Sequence, residues 1–140
     1  MTDETPILME RATQEEIAAY FTNDRFATDA GCVLLKGDKG YGLAKLDLEE
    51  RHLNANGSVM GGAIMTLADF ALAVACNVQQ PPTVGVQNSV QFIAGPKPGT
   101  TIYAECKATK MGRRMGFYTV EVRDEAGKLY TIMESTCCRA

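Results

Sequence analysis

The chain has no tryptophan, a single histidine and no excess of basic charge: 14 Lys and Arg stand against 17 Asp and Glu in 140 residues, a net charge of -3. Each shortage removes a class of function. Without a basic excess there is no global field for a nucleic-acid backbone. One histidine, His52, and no Cys-x-x-Cys pair leave no ligand cluster for a zinc site. A Ser-His-Asp triad would have to rest on His52 alone. No uninterrupted apolar run approaches the roughly 18 residues that span a bilayer, so no membrane partner is expected. The first residues, Met1-Thr2-Asp3-Glu4-Thr5-Pro6, are acidic and polar, unlike a secretory signal. The five cysteines (Cys32, Cys76, Cys106, Cys137 and Cys138) are an odd number, and read as free thiols of a reducing cytoplasm.

What is present has the balance of a globular fold: 46% hydrophobic and 22% charged residues. The length suits one domain spanning residues 1–140, with about the first 25 as an N-terminal helical extension. Thr13-Gln14-Glu15-Glu16 reads as a capping box, opening a short helix to about Thr22. Gly31 to Lys36 and Tyr41 to Leu48 read as two strands joined at Gly37-Asp38-Lys39-Gly40, the second with clear alternation. A polar loop from His52 to Ser58 and a glycine pair, Gly61-Gly62, precede a segment from Ala63 to about Val78. That segment is rich in Ala, Leu and Met and free of Pro, which favours a helix. It is apolar almost all round, which predicts burial, and Pro81-Pro82 stops it. Thr83 to Ile93, Thr100 to Lys110, Met115 to Arg123 and Leu129 to Arg139 read as four more strands. The short turns between them predict antiparallel neighbours in a meander. The expected class is α+β, an antiparallel sheet wrapped around one long central helix.

The most informative feature is a desert of charge. At the chain's own 22% charged content, about ten charges are expected between residues 53 and 96. One is present, Asp69, in the middle of the helix. A buried carboxylate is costly unless paired or hydrogen-bonded. Asp69 is therefore either a structural residue, held by backbone amides or a distant Arg, or a catalytic carboxylate in an apolar pocket. The preceding loop supports the second reading, since a helix N-terminus at Gly61-Gly62 offers unpaired N–H groups to an oxyanion. Gly61 and Asp69 are about 12 Å apart along one helix at 1.5 Å per residue. If both act on one carbonyl, they come from two subunits, which predicts a homodimer with interface sites.

The stretch from His52 through Asn54, Gly57, Met60-Gly61-Gly62 to Leu67-Ala68-Asp69 resembles the signature of hot-dog-fold acyl-CoA thioesterases, and within them the phenylacetic-acid degradation branch. The order of elements agrees from about Phe26 onward. The resemblance implies that Asp69 is the general base or nucleophile at the thioester carbon. It implies that Asn54 positions the water or the carboxylate, and that the Gly61 N–H polarises the carbonyl. It further implies dimers through a continuous sheet, commonly paired into tetramers, and no cofactor beyond the coenzyme A of the substrate. Two positions depart from the family. Met60 stands where a His usually precedes the glycine pair, and Met cannot donate a hydrogen bond. Gly85 stands where many relatives carry Ser or Thr, with Gln87, Asn88 and Ser89 the nearest polar side chains.

Met60, Gly62, Met65 and Asn88 are the candidate substrate contacts, although methionines at 60, 65, 111 and 115 also suit core filling. Lys110, Arg113 and Arg114 flank Gly112, either as a solvated hairpin tip or as a clamp for the phosphates of coenzyme A. Cys76 reads as a buried thiol, and Cys137 and Cys138 as facing opposite ways on a strand. His52 reads as structural before catalytic. Acyl-CoA binding without turnover is the competing function. A hot-dog hydratase would need a His in the helix region, where there is none.

Overall fold

In a computed structural model the described residues are 12–140, so the acidic segment of residues 1–6 lies outside them. Helix α1 (Gln14–Phe21) opens as the sequence predicts: Thr13 Oγ1 accepts from the Glu16 N–H at 3.1 Å, and Glu16 Oε1 accepts from the Thr13 N–H at 3.0 Å. A second helix, α2 (Arg25–Ala30), was not expected. Strands β1 (Val33–Asp38) and β2 (Tyr41–Asp47) form a hairpin. The long helix α3 (Gly61–Asn77) begins at the glycine pair, two residues earlier than the apolar run predicts. Strands β3 (Thr83–Phe92), β4 (Thr101–Met111), β5 (Met115–Asp124) and β6 (Leu129–Arg139) complete the order.

All six strands lie in one sheet in the order β1-β2-β4-β5-β6-β3, and every pairing is antiparallel. This corrects the expected four-strand meander. β3 does not pair with β4; it crosses to the far edge and pairs with β6, from Thr83↔Arg139 to Phe92↔Thr131. The Gly95–Gly99 segment is accordingly a crossover and not a hairpin turn. It is anchored at the end of β2, where Leu48 N–H donates to Thr100 O and Gly99 N–H donates to Leu48 O, both at 2.9 Å.

The sheet packs around α3, which lies closest to β2 and β4. Leu67, Ala71 and Val74 of the helix share one core with Ala44, Leu46, Ile102 and Val120 of the sheet, all fully buried. The contact is close enough to select residue size. A Cβ on Gly42 of β2 would collide with the Ala71 carbonyl of α3. Asn77 ends the helix by bridging it to β3: its Nδ2 donates to Ala73 O at 2.9 Å and its Oδ1 accepts from the Thr83 N–H at 2.9 Å. Among the described residues no helix is long and apolar enough to cross a membrane.

Candidate functional site

The helix is not buried all round. Gly62, Thr66, Asp69 and Ala73 recur at spacings of four, three and four, so they share one face. That face is open: Gly62 and Asp69 are exposed and Thr66 and Ala73 half-buried. Asp69 therefore corrects the expectation of a buried carboxylate. The stripe is legible afterwards as small or polar residues within an apolar helix. Although Asp69 reaches solvent, the protein around it removes part of its hydration. This desolvation holds its pKa above the ordinary 3.8, because loss of water penalises the charged form.

A cavity of about 260 Å³ lies beside Asp69, walled by Thr66 and Phe70 of α3 and by Asp24, Arg25, Phe26 and Ala27. The second set belongs to α2 and its N-cap. Asp24 occupies the capping position but makes no side-chain cap bond. Its pKa is raised, first by burial and then by the charge of Asp69. Two carboxylates thus share one cleft. No ion pair to Asp69 forms among the described residues. Sequence reasoning missed Asp24, Arg25 and Phe26; the Asp before a short mixed segment was the one available signal, a helix N-cap type.

The other candidates lie outside this cleft of the single chain. Met60 is the N-cap of α3, gives no side-chain cap bond and is 55% exposed. The first-turn N–H groups of Gly61 and Gly62 have no helical acceptor four residues back. Gly61 sits under the Phe92 ring, where a Cβ would come within 3.1 Å of the ring edge. Asn54 organises its own loop: its Oδ1 accepts from the N–H groups of Asn56 at 2.9 Å and Ser58 at 3.1 Å. Its Nδ2 is then the side chain's remaining donor. Met65 is half-buried on α3, whereas Met60, Met111 and Met115 are all more than a third exposed and are not core filler.

On β3 a bulge between Gly85 and Gln87 decides which polar residue faces inward. Gly85 pairs with Cys137 and approaches Leu72 of α3. After the bulge Asn88 pairs with the buried Ser135, whose Oγ donates to Asn88 Oδ1 at 2.6 Å. Asn88 therefore shares the inner face with Gly85, and Gln87 and Ser89 take the outer one. Lys110, Arg113 and Arg114 are exposed around the β4–β5 turn. That turn is held by Arg139, whose Nε donates to Arg113 O at 2.9 Å and whose Nη2 donates to Gly112 O at 3.3 Å. Arg139 also reaches Thr83 Oγ1 and Gln80 Oε1, each at 3.3 Å, tying the basic tip to the α3–β3 connection. Nothing in the sequence alone signalled that staple.

His52 is structural. Its Nδ1 accepts from the Glu49 N–H at 2.9 Å and its Nε2 lies 2.6 Å from Ala30 O, so Nε2 carries the proton and donates to that carbonyl. Cys76 is buried as expected, its Sγ 3.8 Å from Ala73 O, and the adjoining Cys137 thiol together with burial pushes its pKa up. Burial pushes Cys32 up to about 11. Cys137 is buried and Cys138 half-buried, on opposite faces of β6. Among the described residues no group of three His, Cys, Asp or Glu could hold a metal ion.

Residues 56–131 match the family model of the thioesterase superfamily. The chain is 28% identical over 110 residues to the acyl-coenzyme A thioesterase PaaI of Escherichia coli, a match that covers 79% of this chain and 79% of that one. It is 28% identical over 125 residues to acyl-coenzyme A thioesterase 13 of Homo sapiens, covering 86% and 89%. The solved structure of the E. coli PaaI protein from the phenylacetic acid degradation operon superposes with a TM-score of 0.84 at 25% identity, covering 91% and 96%. The TT0310 protein of Thermus thermophilus does so with a TM-score of 0.78 at 29% identity, covering 82% and 97%.

Proposed function

The chain belongs to the thioesterase superfamily, with the hot-dog architecture its sequence predicts, and from that premise we propose that it hydrolyses an acyl- or aryl-CoA thioester with Asp69 as general base or nucleophile. The carrying observation is a partly desolvated carboxylate on the open stripe of α3, the only charge in a long neutral segment. Desolvation favours its protonated form, so proton transfer from an attacking water becomes more favourable at Asp69 than at an ordinary Asp.

Attack on the thioester carbon places charge on the carbonyl oxygen. The Gly61 N–H, at the positive end of α3, is suited to receive it. Gly61 cannot reach the carbon attacked by Asp69 of its own helix, some 12 Å away. The site therefore combines Asp69 of one subunit with Gly61 of another. Asn54 positions the water or the carboxylate through Nδ2. Met60, Gly62, Met65 and Asn88 line the substrate path, and Lys110, Arg113 and Arg114 take the phosphates of coenzyme A.

The dimer this requires has an available surface. β3 is one edge of the sheet, and Val84, Val86 and Phe92 on it, with Ile93 just after it, are each about half exposed or more. An open apolar edge is a template for another strand, so two copies joined at β3 would continue the sheet, and dimers would pair into tetramers. The chain works as one hot-dog domain of residues 1–140, in the cytoplasm, with no cofactor beyond the coenzyme A of its substrate. Met60 favours one competing reading, acyl-CoA binding without turnover, because its thioether cannot donate to the carbonyl as a His would.

The deciding experiment is release of coenzyme A from a panel of aryl and aliphatic CoA thioesters, followed by chromatography, since the protein's own thiols confound a thiol dye. Turnover that collapses in Asp69→Asn supports the hydrolase. Tight acyl-CoA binding without turnover by the wild type would replace it with the binding module.

A further inference from the structure

The proposed reaction assigns the thioester to α3 and leaves the acyl end unplaced. Resting on that reading, we propose that Phe26 of α2 is a specificity-determining residue, forming the outer wall of the acyl subsite and selecting bulky apolar acyl groups over acetyl.

The cavity beside Asp69 is lined by two phenylalanines, the buried Phe70 and the exposed Phe26. Phe70 is 3% exposed and stacks edge-on against Phe21, with centroids 6.3 Å apart and an interplanar angle of 88°. Phe26, at 78%, is the most exposed large hydrophobic residue among those described. An isolated surface Phe needs no explanation. This one borders the same cleft as Asp69.

The segment that carries it is firmly held. Ala27 is buried against the core, and its carbonyl accepts from the Cys32 N–H at 2.9 Å. Arg51 Nη1 donates to Asp29 O at 2.7 Å, and His52 Nε2 meets Ala30 O at 2.6 Å. The buried His52 and the exposed Arg51 thus serve to fix α2 against the loop that leads to α3. A ring carried on a fixed backbone segment costs less to order on binding than one on a floppy loop.

Size decides which part of the substrate fits. Sites for whole drug-sized ligands run to about 300–1,000 Å³. At about 260 Å³ the cleft is too small for an entire CoA ester and suits its acyl part. The nucleotide must lie elsewhere, as the separate basic turn allows. A phenyl or branched group between Phe26 and Phe70 would bury apolar surface on both sides; an acetyl group would reach neither ring fully.

The test compares wild type, Phe26→Ala and Phe26→Leu using two non-hydrolysable thioether analogues, phenylacetyl-type and acetyl-type, by calorimetry, with steady-state kinetics on the matching thioesters. Binding of the bulky analogue should weaken about 10- to 200-fold in Phe26→Ala, the scale on which apolar pockets discriminate. The acetyl analogue should change less than about twofold, and Phe26→Leu should recover part of the loss. In kinetics the loss should appear in KM for the bulky ester, with kcat held. An equal loss for both analogues, or no loss for either, would overturn the assignment. Binding selectivity that follows Phe26 without turnover by wild type would uphold this subsite and defeat the hydrolase reading, so the two fail separately.

Discussion

The two faces of α3 are made from one continuous sequence and have opposite tasks. One face carries Leu67, Ala71 and Val74, fully buried against the sheet. The other carries Gly62 and Asp69, exposed, with Thr66 and Ala73 half-buried between and after them. The core face tolerates almost no change of volume, because the Gly42 backbone of β2 lies directly against the Ala71 carbonyl. The open face holds small and polar residues, as the proposed site requires. Hydrophobicity alone does not separate these faces, since Ala and Gly serve both: on one side they permit close packing, on the other they leave room.

Substitutions should divide along that line. The largest effect is expected at Asp69. Asp69→Asn should lower hydrolysis about 10²- to 10⁴-fold, the usual worth of a positioned acid or base, with no loss of thermal stability. A variant that unfolds instead would place Asp69 with the core face. Leu67→Ala should do the reverse, costing about 2–5 kcal/mol of stability in denaturant melts while the folded fraction keeps its kcat. Gly42→Ala comes next, at about 1–3 kcal/mol from forced overpacking. A melt unchanged from wild type would show that β2 and α3 are not in the contact described.

The pH dependence sharpens the comparison further. The folded pKa of Asp69 lies above its ordinary 3.8, so the folded state holds the proton more tightly than the unfolded one. Stability contributed by that proton is present at low pH and is lost as pH rises through the folded pKa. Asp69→Asn should therefore melt higher than wild type near neutral pH, with the gap closing below about pH 4. A gap that grows on acidification would reverse the sign of the argument. The smallest effect belongs to Asp24. Part of its raised pKa comes from the Asp69 charge, so Asp69→Asn should move the Asp24 carboxyl titration downward in carbon-detected NMR. No movement would mean the two carboxylates do not share the cleft.

Much of this arrangement is legible in the amino-acid sequence, for identifiable reasons. Alternation marks β2, the capping box marks α1, and the Ala-rich run closed by two prolines marks α3, because each is a local signal. The position of β3 is not local. Gly95 to Gly99 is short enough for a hairpin, and only the bonds between Leu48 and Gly99–Thr100 reveal that the chain instead crosses to the other edge. α2 has six residues, too few for periodicity to show, so the N-cap type of Asp24 was its one signal and Phe26 carries none, although both border Asp69. The charge desert singled out Asp69, but an average over side chains could not show that a stripe of small residues would leave it open. Asn88 became an inward-facing residue only through the bulge beside Gly85.

The crossover of β3 also has a consequence for how the molecule is made. The strand synthesised third pairs with the strand synthesised sixth, from Thr83↔Arg139 onward. While the ribosome adds the intervening residues, β3 has neither of its edges covered, and Val84, Val86, Phe92 and Ile93 remain available to other chains. Such intermediates, with unpaired strands and exposed apolar surface, are the species that aggregate. Late closure of this kind raises contact order and slows folding, so the yield of soluble protein should depend on translation rate and chaperone supply more than the stability of the finished sheet suggests.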